Sequence, residues 1–457
     1  MSIYIKKIKE LEIISRQLEG SNMQRAAWTK VVHSYAGDFI TDSLNLKNKV
    51  LKTEKTKSQN NTFTIDENGR SIIKIIEDIT QNIDNQSINL VSPGFMAHQP
   101  SGSLYVGALG DFMTSVTNRN SDLSIENEKP THIETSIGNW LKQVIGLPES
   151  TISLLTADSL MANIHAFYLA RKAKAISVEN LVISVIYSTE MLHESILEAL
   201  KLSGLQDCKL QIIPYDARYR MDGVALAQQI ESDKINGLHP FMIIATAGTY
   251  KNGAIDPMNI IAMIAKKHNI WTHIDATYGG FFMLLDDEKT KFKGFDKVNS
   301  ITLDPHKGLF LPNGFGALLI NNEANLLQVE KTDFPSDICG LKLWLPLQLF
   351  GLKLFSAALE EKLLLTKYFQ AEVQKLGFEV LPDPELTICA FKKTALTIAE
   401  TNEKNLELVT QINADGRVLV STITLNNETW IRAIFMSYRT HQDHVDILLS
   451  LLKNIKN

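Results

Sequence analysis

ITLDPHKGLFLPNGFGALLI, residues Ile301 to Ile320, decides the fold. A β-branched and apolar run, Ile301-Thr302-Leu303, ends at Asp304-Pro305-His306-Lys307, and a second apolar run follows through Gly316. Pro305 stops the first run because it cannot donate to a strand ladder, and Pro312 with the neighbouring glycines lets the chain turn back. Lys307 therefore falls at a strand end, where α/β sheets gather ligand-binding groups, and a lysine so placed can act as a nucleophile. Taken alone it is more often a solvated loop residue.

Upstream, Ile270-Trp-Thr-His-Ile-Asp275-Ala-Thr277-Tyr-Gly-Gly280 reads as a strand that delivers an aspartate and then breaks into small residues. Pyridoxal phosphate needs this pair of side chains: a lysine for the Schiff base, and an aspartate that keeps the pyridine nitrogen protonated so that the ring accepts electrons.

Before these two stretches, in chain order, stand His193-Glu-Ser195, Thr246-Ala-Gly248-Thr249 and Gly253-Ala-Ile-Asp256-Pro257. The ordered set resembles the group II pyridoxal-phosphate-dependent decarboxylases, the family of the aromatic-amino-acid and glutamate decarboxylases, over roughly Gln24 to Asp446. The resemblance implies an α/β fold of fold type I, a mostly parallel central sheet with helices on both faces plus a small C-terminal α+β domain. It implies an L-amino acid as substrate and pyridoxal 5'-phosphate as cofactor, held by Lys307. Asp275 would pair with the ring nitrogen, His193 would stack on the ring and move protons, and Thr246 would lie near the phenolic oxygen. His306 and Asp304 would lie close to the phosphate, with Ser159 and Thr277 completing the cofactor shell. His98, Gln99 and Ser101 would line the substrate side, and Arg432 would meet a substrate carboxylate or serve as an ion-pair residue. It further implies a homodimer with active sites at the interface.

Composition sets wider limits. The 457 residues are 44% hydrophobic and 21% charged, enough for two or three domains around a sizeable core. A formal charge of −5 with no basic stripe argues against a nucleic-acid partner. Three scattered cysteines, Cys208, Cys339 and Cys389, suggest neither a disulfide framework nor a zinc site, and a reducing compartment, the cytosol, is expected. The N-terminus has no signal-peptide core and no run suits a membrane span. A metal reading of His268, His273 and Asp275 is open on ligand type, but no metal is expected, since a strand end facing a lysine explains Asp275 better.

The chain is expected to divide into an N-terminal helical segment with a polar linker (1–88), which the resemblance makes a dimerisation segment, a large α/β domain (89–355), which it makes the cofactor-binding domain, and the small C-terminal α+β domain (356–457). In the second, helices over Pro130–Leu147, Met161–Lys174, His193–Leu202 and Asn259–His268 alternate with strands over Leu181–Ile186, Lys209–Ile213, Phe241–Thr246, Ile270–Asp275 and Ser300–Leu303. A long helix is expected from Leu352 to Lys375.

Two departures from the family pattern bear on function. The Ser-Gly-Gly-Ser phosphate cradle is replaced by Ala157-Asp158-Ser159-Leu160, which puts a carboxylate where a dianion would sit. The family's loop tyrosine, which returns a proton to the substrate carbon, has no counterpart, since no tyrosine occurs between Tyr278 and Tyr368; Tyr250 or His193 is the candidate replacement. The first reading is a decarboxylase working through Lys307. The alternatives are diverted chemistry, decarboxylation with oxidative deamination to an aldehyde, and a degenerate non-catalytic homologue.

Overall fold

The computed structural model describes residues 3–45, 67–85, 87–99, 102–117, 132–321, 340–382 and 384–455. Ser101, most of the expected linker and residues 322–339 lie outside them. Helices α1 (Ile3–Ser15), α2 (Asn22–Leu44) and α3 (Ile72–Ile79) come first, followed by α4 (Tyr105–Thr117) and α5 (His132–Ile145). Ser21 opens α2 through a capping box with Gln24, which satisfies two otherwise orphaned amides.

The large sheet follows: β1 (Ile152–Thr156), α6 (Ser159–Ala173), β2 (Ser184–Ser188), α7 (Glu194–Leu202), β3 (Lys209–Ile212), α8 (Gly223–Ile235), β4 (His239–Thr246), α9 (Met258–His268), β5 (Trp271–Asp275), β6 (Ser300–Leu303), the single turn α10 (Pro305–Gly308) and β7 (Gly316–Ile320). Its order is β1-β7-β6-β5-β4-β2-β3. β3, β2, β4, β5 and β6 are parallel, and β7 runs antiparallel to β6 and β1. Strands buried on both faces carry continuous apolar runs rather than alternation, which is why β4 reads FMIIA. Ile243, Ala245, Ile274 and Ala276 face one core with α9; Met242, Ile244, Trp271 and Leu318 face the other with α6 and α7.

The chain then forms α11 (Leu341–Lys375), β8 (Glu379–Val380), β9 (Ile388–Lys392), α12 (Ile398–Asp415), β10 (Ser421–Leu425), β11 (Glu428–Ile434) and α13 (Gln442–Ile455). The small sheet, β10-β11-β9-β8, is antiparallel, and Phe369, Phe391, Phe435 and Leu448 form its core. Segment 92–98 is tied to it: Met96 N donates to Leu419 O at 2.9 Å and Ile434 N to Met96 O at 2.9 Å.

Three sequence expectations shift. The strand expected from Leu181 starts at Ser184, because Leu181–Ile183 forms a 3-10 turn that leaves Val182 and Ile183 exposed before the sheet begins. Helix α6 starts at Ser159 rather than Met161, because Asp158 caps it. Helical structure also precedes Leu352: it begins at Leu341 and is broken at Gly351, whose φ of 69° suits glycine. Helix α8 went unread; Asp222 starts it by accepting from Val224 N (2.8 Å) and Ala225 N (3.1 Å), and only Leu226, Ile230 and Asp233 are buried, so its apolar stripe is thin.

Candidate active site

The register of β4, β5 and β6 sets Thr246, Asp275 and Thr302 side by side in one row at their carboxyl ends. Paired residues share a face, so all three point to the α6 side of the sheet. Asp275 is buried, and its Oδ1 accepts from Thr277 N at 3.2 Å. Lys307 Nζ donates to Thr277 Oγ1 at 3.3 Å. Thr277 thus touches both the carboxylate and the amine. Lys307 is held by α10, where Asp304 accepts from His306 N at 3.2 Å and pairs with the His306 ring. Gly308 lets this turn close on Phe281, since a Cβ there would lie 2.6 Å from the Phe281 side chain. Thr246 is fixed through its backbone: buried Asp256 accepts from Thr246 N (2.8 Å) and Met221 N (2.7 Å), and desolvation pushes its carboxyl up to about 6.

His193 stands at the start of α7. Its Nδ1 accepts from Ser195 N at 3.1 Å and contacts Ser195 Oγ at 2.8 Å, so in the neutral ring the proton belongs on Nε2. One side of the ring meets solvent, yet partial burial first, then the charge of Lys307, pulls the imidazole below its ordinary value, with Asp275 opposing. Tyr250 packs edge-on against this ring, centroids 5.2 Å apart at 89°, and burial raises its phenol, which keeps it protonated. Arg432, nearly buried, donates to Tyr250 O (2.6 Å), Ala97 O (3.1 Å) and Ser421 Oγ (3.0 Å). It clamps the backbone beside Tyr250 to the backbone before His98. His98 is exposed, and burial of its inner side together with Arg432 lowers its pKa. The Gln99 amide nitrogen is buried without a hydrogen-bond partner among the described residues.

Between β1 and α6, Asp158 Oδ1 accepts from Met161 N at 2.8 Å, so its carboxylate lies over the first turn of α6, with Ser159 as the first helical residue. Thr156 Oγ1 holds Asp158 O at 2.7 Å, and Gly316 admits the Asp158 backbone, which would lie 2.5 Å from a Cβ. Since β7 pairs with β6 next to Asp304, the α6 start belongs to the same end of the sheet as Lys307.

Sequence reading passed over Asn163 and Ser300, which take both ring nitrogens of His273 at 3.0 and 2.9 Å. Their only signal is polarity inside otherwise apolar stretches. With both nitrogens engaged, and His268 placed against Lys234 and Glu231, the metal reading has no support in the ligand geometry. Among the described residues no group of three or more His, Cys, Asp or Glu side chains is gathered for a metal, and no helix is long and apolar enough to cross a membrane.

The residues suit pyridoxal phosphate. Lys307 is a half-buried amine with no carboxylate partner among the described residues; Thr277 stands between it and buried Asp275, its hydroxyl toward the amine and its backbone N–H toward the carboxylate, and Thr302 Oγ1 and Asp304 Oδ2 are buried without hydrogen-bond partners there. The architecture is that of fold-type-I enzymes. A structure of Oryza sativa TDC with PLP and tryptamine superposes with a TM-score of 0.88 at 20% identity, covering 96% of this chain and 98% of that one. Rhodiola rosea 4-hydroxyphenylacetaldehyde synthase gives 0.87 at 20% identity, covering 95% and 98%. Residues 54–394 match the model of the pyridoxal-dependent decarboxylase conserved domain. An aromatic-L-amino-acid decarboxylase of Bacillus atrophaeus is 30% identical over 472 residues, 96% of each chain. The chain belongs to the pyridoxal-dependent decarboxylase family: it is a carbon–carbon lyase acting on an amino acid with pyridoxal phosphate as cofactor.

Proposed function

We propose that the chain decarboxylates an aromatic L-amino acid, with Lys307 and Asp275 as the residues that hold the cofactor. The observation that carries this reading is the bridge at Thr277, 3.2 Å from Asp275 and 3.3 Å from Lys307, which joins an amine and a carboxylate at neighbouring strand ends. The similarity to the Bacillus atrophaeus enzyme supports the substrate class. When bound, pyridoxal phosphate supplies an electron sink for the pair left on the substrate carbon as carbon dioxide departs.

The chain's own side chains do the rest. Lys307 Nζ would hold the aldehyde carbon and Asp275 the ring nitrogen, with Thr246 and Thr277 beside them. Ser159 and His306 would contact the phosphate, with Asp304 orienting His306. His193 would lie against the ring, its neutral imidazole offering the Nε2 proton. Tyr250, protonated and packed on His193, is the second proton source, and it returns a proton to the substrate carbon. Arg432 holds Tyr250 in place through its carbonyl. His98 and Gln99 would line the substrate side, joined by Ser101, which lies outside the described residues. The division into 1–88, 89–355 and 356–457 assigns the cofactor to the second segment and dimerisation to the first. A cytoplasmic homodimer is the assembly we assign, in keeping with the apolar side chains that α1 of the first segment exposes at Ile3, Ile13 and Ile14.

The assay uses L-tryptophan, L-tyrosine and L-phenylalanine and counts carbon dioxide, amine and aldehyde. Wild type should release carbon dioxide and amine in equal amounts, and Lys307→Ala neither. Tyr250→Phe should form amine about a hundredfold more slowly, with aldehyde rising as dioxygen is consumed and ammonia and hydrogen peroxide appear. Unchanged amine formation in Tyr250→Phe removes Tyr250 from the mechanism; no carbon dioxide from any amino acid favours the non-catalytic reading.

A further inference from the structure

His273 lies one pleat before Asp275 on β5, so both side chains point to the α6 face of the sheet. It is fully buried. Register pairs it with Ser300 on β6, just as Asp275 is paired with Thr302. The hydrogen bonds around it have a direction. Indole nitrogen only donates, and Trp271 Nε1 donates to Ser300 Oγ at 3.0 Å. The single Ser300 hydroxyl proton then goes to its other partner, His273 Nδ1, at 2.9 Å. Nδ1 is therefore an acceptor, and the ring proton is on Nε2, which faces Asn163 Oδ1 at 3.0 Å. A proton on Nδ1 would leave two donors facing Ser300 Oγ together with its own hydrogen, for which the described residues offer no second acceptor.

The side chains in contact with the ring carry no charge. Asn163 and Phe167 of α6 and Ser300 of β6 face the ring, the last two by edge contact and hydrogen bond, and none ionises. Asp275 is the charged group that acts on it, favouring protonation, while burial outweighs that pull and holds the imidazole down at about 4. An imidazolium here would place a positive charge two residues from Asp275 and weaken the carboxylate's hold on a ring nitrogen.

We propose that Trp271, Ser300, His273 and Asn163 form a directional hydrogen-bond chain that locks His273 as the neutral Nε2–H tautomer beneath Asp275, making His273 a positioning residue that leaves the Asp275 charge to the cofactor. The chain also ties the β5 end to α6 through Asn163, linking the ring-nitrogen partner to the helix whose first turn lies at the phosphate end. It rests on the assignment of Asp275 as the ring-nitrogen partner.

The first test needs neither cofactor nor activity. In cofactor-free protein labelled with ¹⁵N-histidine, the resonances missing from His273→Gln identify His273 among the 11 histidines. They should report Nε2–H, unchanged from pH 5.5 to 8.5; an imidazolium or the Nδ1–H tautomer in that range overturns the proposal. In protein loaded with pyridoxal phosphate, the pH midpoint of the cofactor's visible absorption should move by about one unit in Ser300→Ala and return in Ser300→Thr, which restores the hydroxyl donor. An unmoved midpoint in folded Ser300→Ala sinks the positioning role. A wild type that forms no Lys307-dependent band fails the cofactor assignment instead, and the tautomer measurement then stands as the test of the chain.

Discussion

Asp158 stands where the sequence reading expects a phosphate cradle, and its position gives that departure a direction. A carboxylate is a good N-cap, and this one already takes the Met161 amide that an incoming phosphate would otherwise share. Capping stabilises the cofactor-free fold, while like charge opposes a dianion. Asparagine caps as well as aspartate but carries no charge. In Asp158→Asn, pyridoxal phosphate should therefore bind about tenfold more tightly, at an unchanged melting temperature of the cofactor-free protein. Pyridoxal, which lacks the phosphate, should bind as before. Fluorescence titration of both ligands checks this, and equal phosphate affinity in the two proteins would mean that the phosphate lies clear of Asp158. The substitution was legible in the sequence, but its capping role was not: the helix was read as starting at Met161 because only coordinates show which amide the side chain meets. Asn163 and Ser300 were hidden for a similar reason. Asn163 is 110 positions from His273, and no local pattern marks a partner at that distance.

Among the elements, β4, β5 and β6 were readable because burial on both faces demands apolar runs, and because each ends in a polar or turn-forming break at the site. Within β5 and beside the end of β4 lie two buried titratable groups of opposite effect, His273 and Asp256. His273 in the folded protein ionises near 4 against an ordinary 6.5, so the unfolded chain binds the extra proton between these values, and stability is lost as pH falls through that window. Asp256 ionises near 6 against 3.8, so the folded protein keeps its proton longer, and stability is lost as pH rises from about 4 to 6. The two contributions oppose each other. Asp256→Asn removes the second, so its urea midpoint should climb more steeply with pH between 4 and 6.5 than that of wild type. Equal slopes would mean that Asp256 is ionised throughout the window.

At the scale of the whole molecule, the site forms where the small sheet meets the carboxyl ends of the large one. Arg432 of β11 reaches the carbonyls of Tyr250 and Ala97, and Tyr278, just past β5, bonds through its hydroxyl to Thr387 at 2.7 Å beside β9. Sequence alone supplied the alternation of the large sheet and the two motifs at its ends, but not these joints, since Arg432 and Tyr250 are 182 positions apart. The joints fix Tyr250 and the backbone before His98 relative to the strand ends that carry Lys307 and Asp275, and the proposed function requires those two residues to hold the cofactor. The visible absorption spectrum of the purified protein with added pyridoxal phosphate, compared with that of Lys307→Ala, tests this most directly. A protein-bound cofactor band should appear in wild type and be absent in Lys307→Ala. The same band in both proteins, or none in wild type at saturating cofactor, would contradict it.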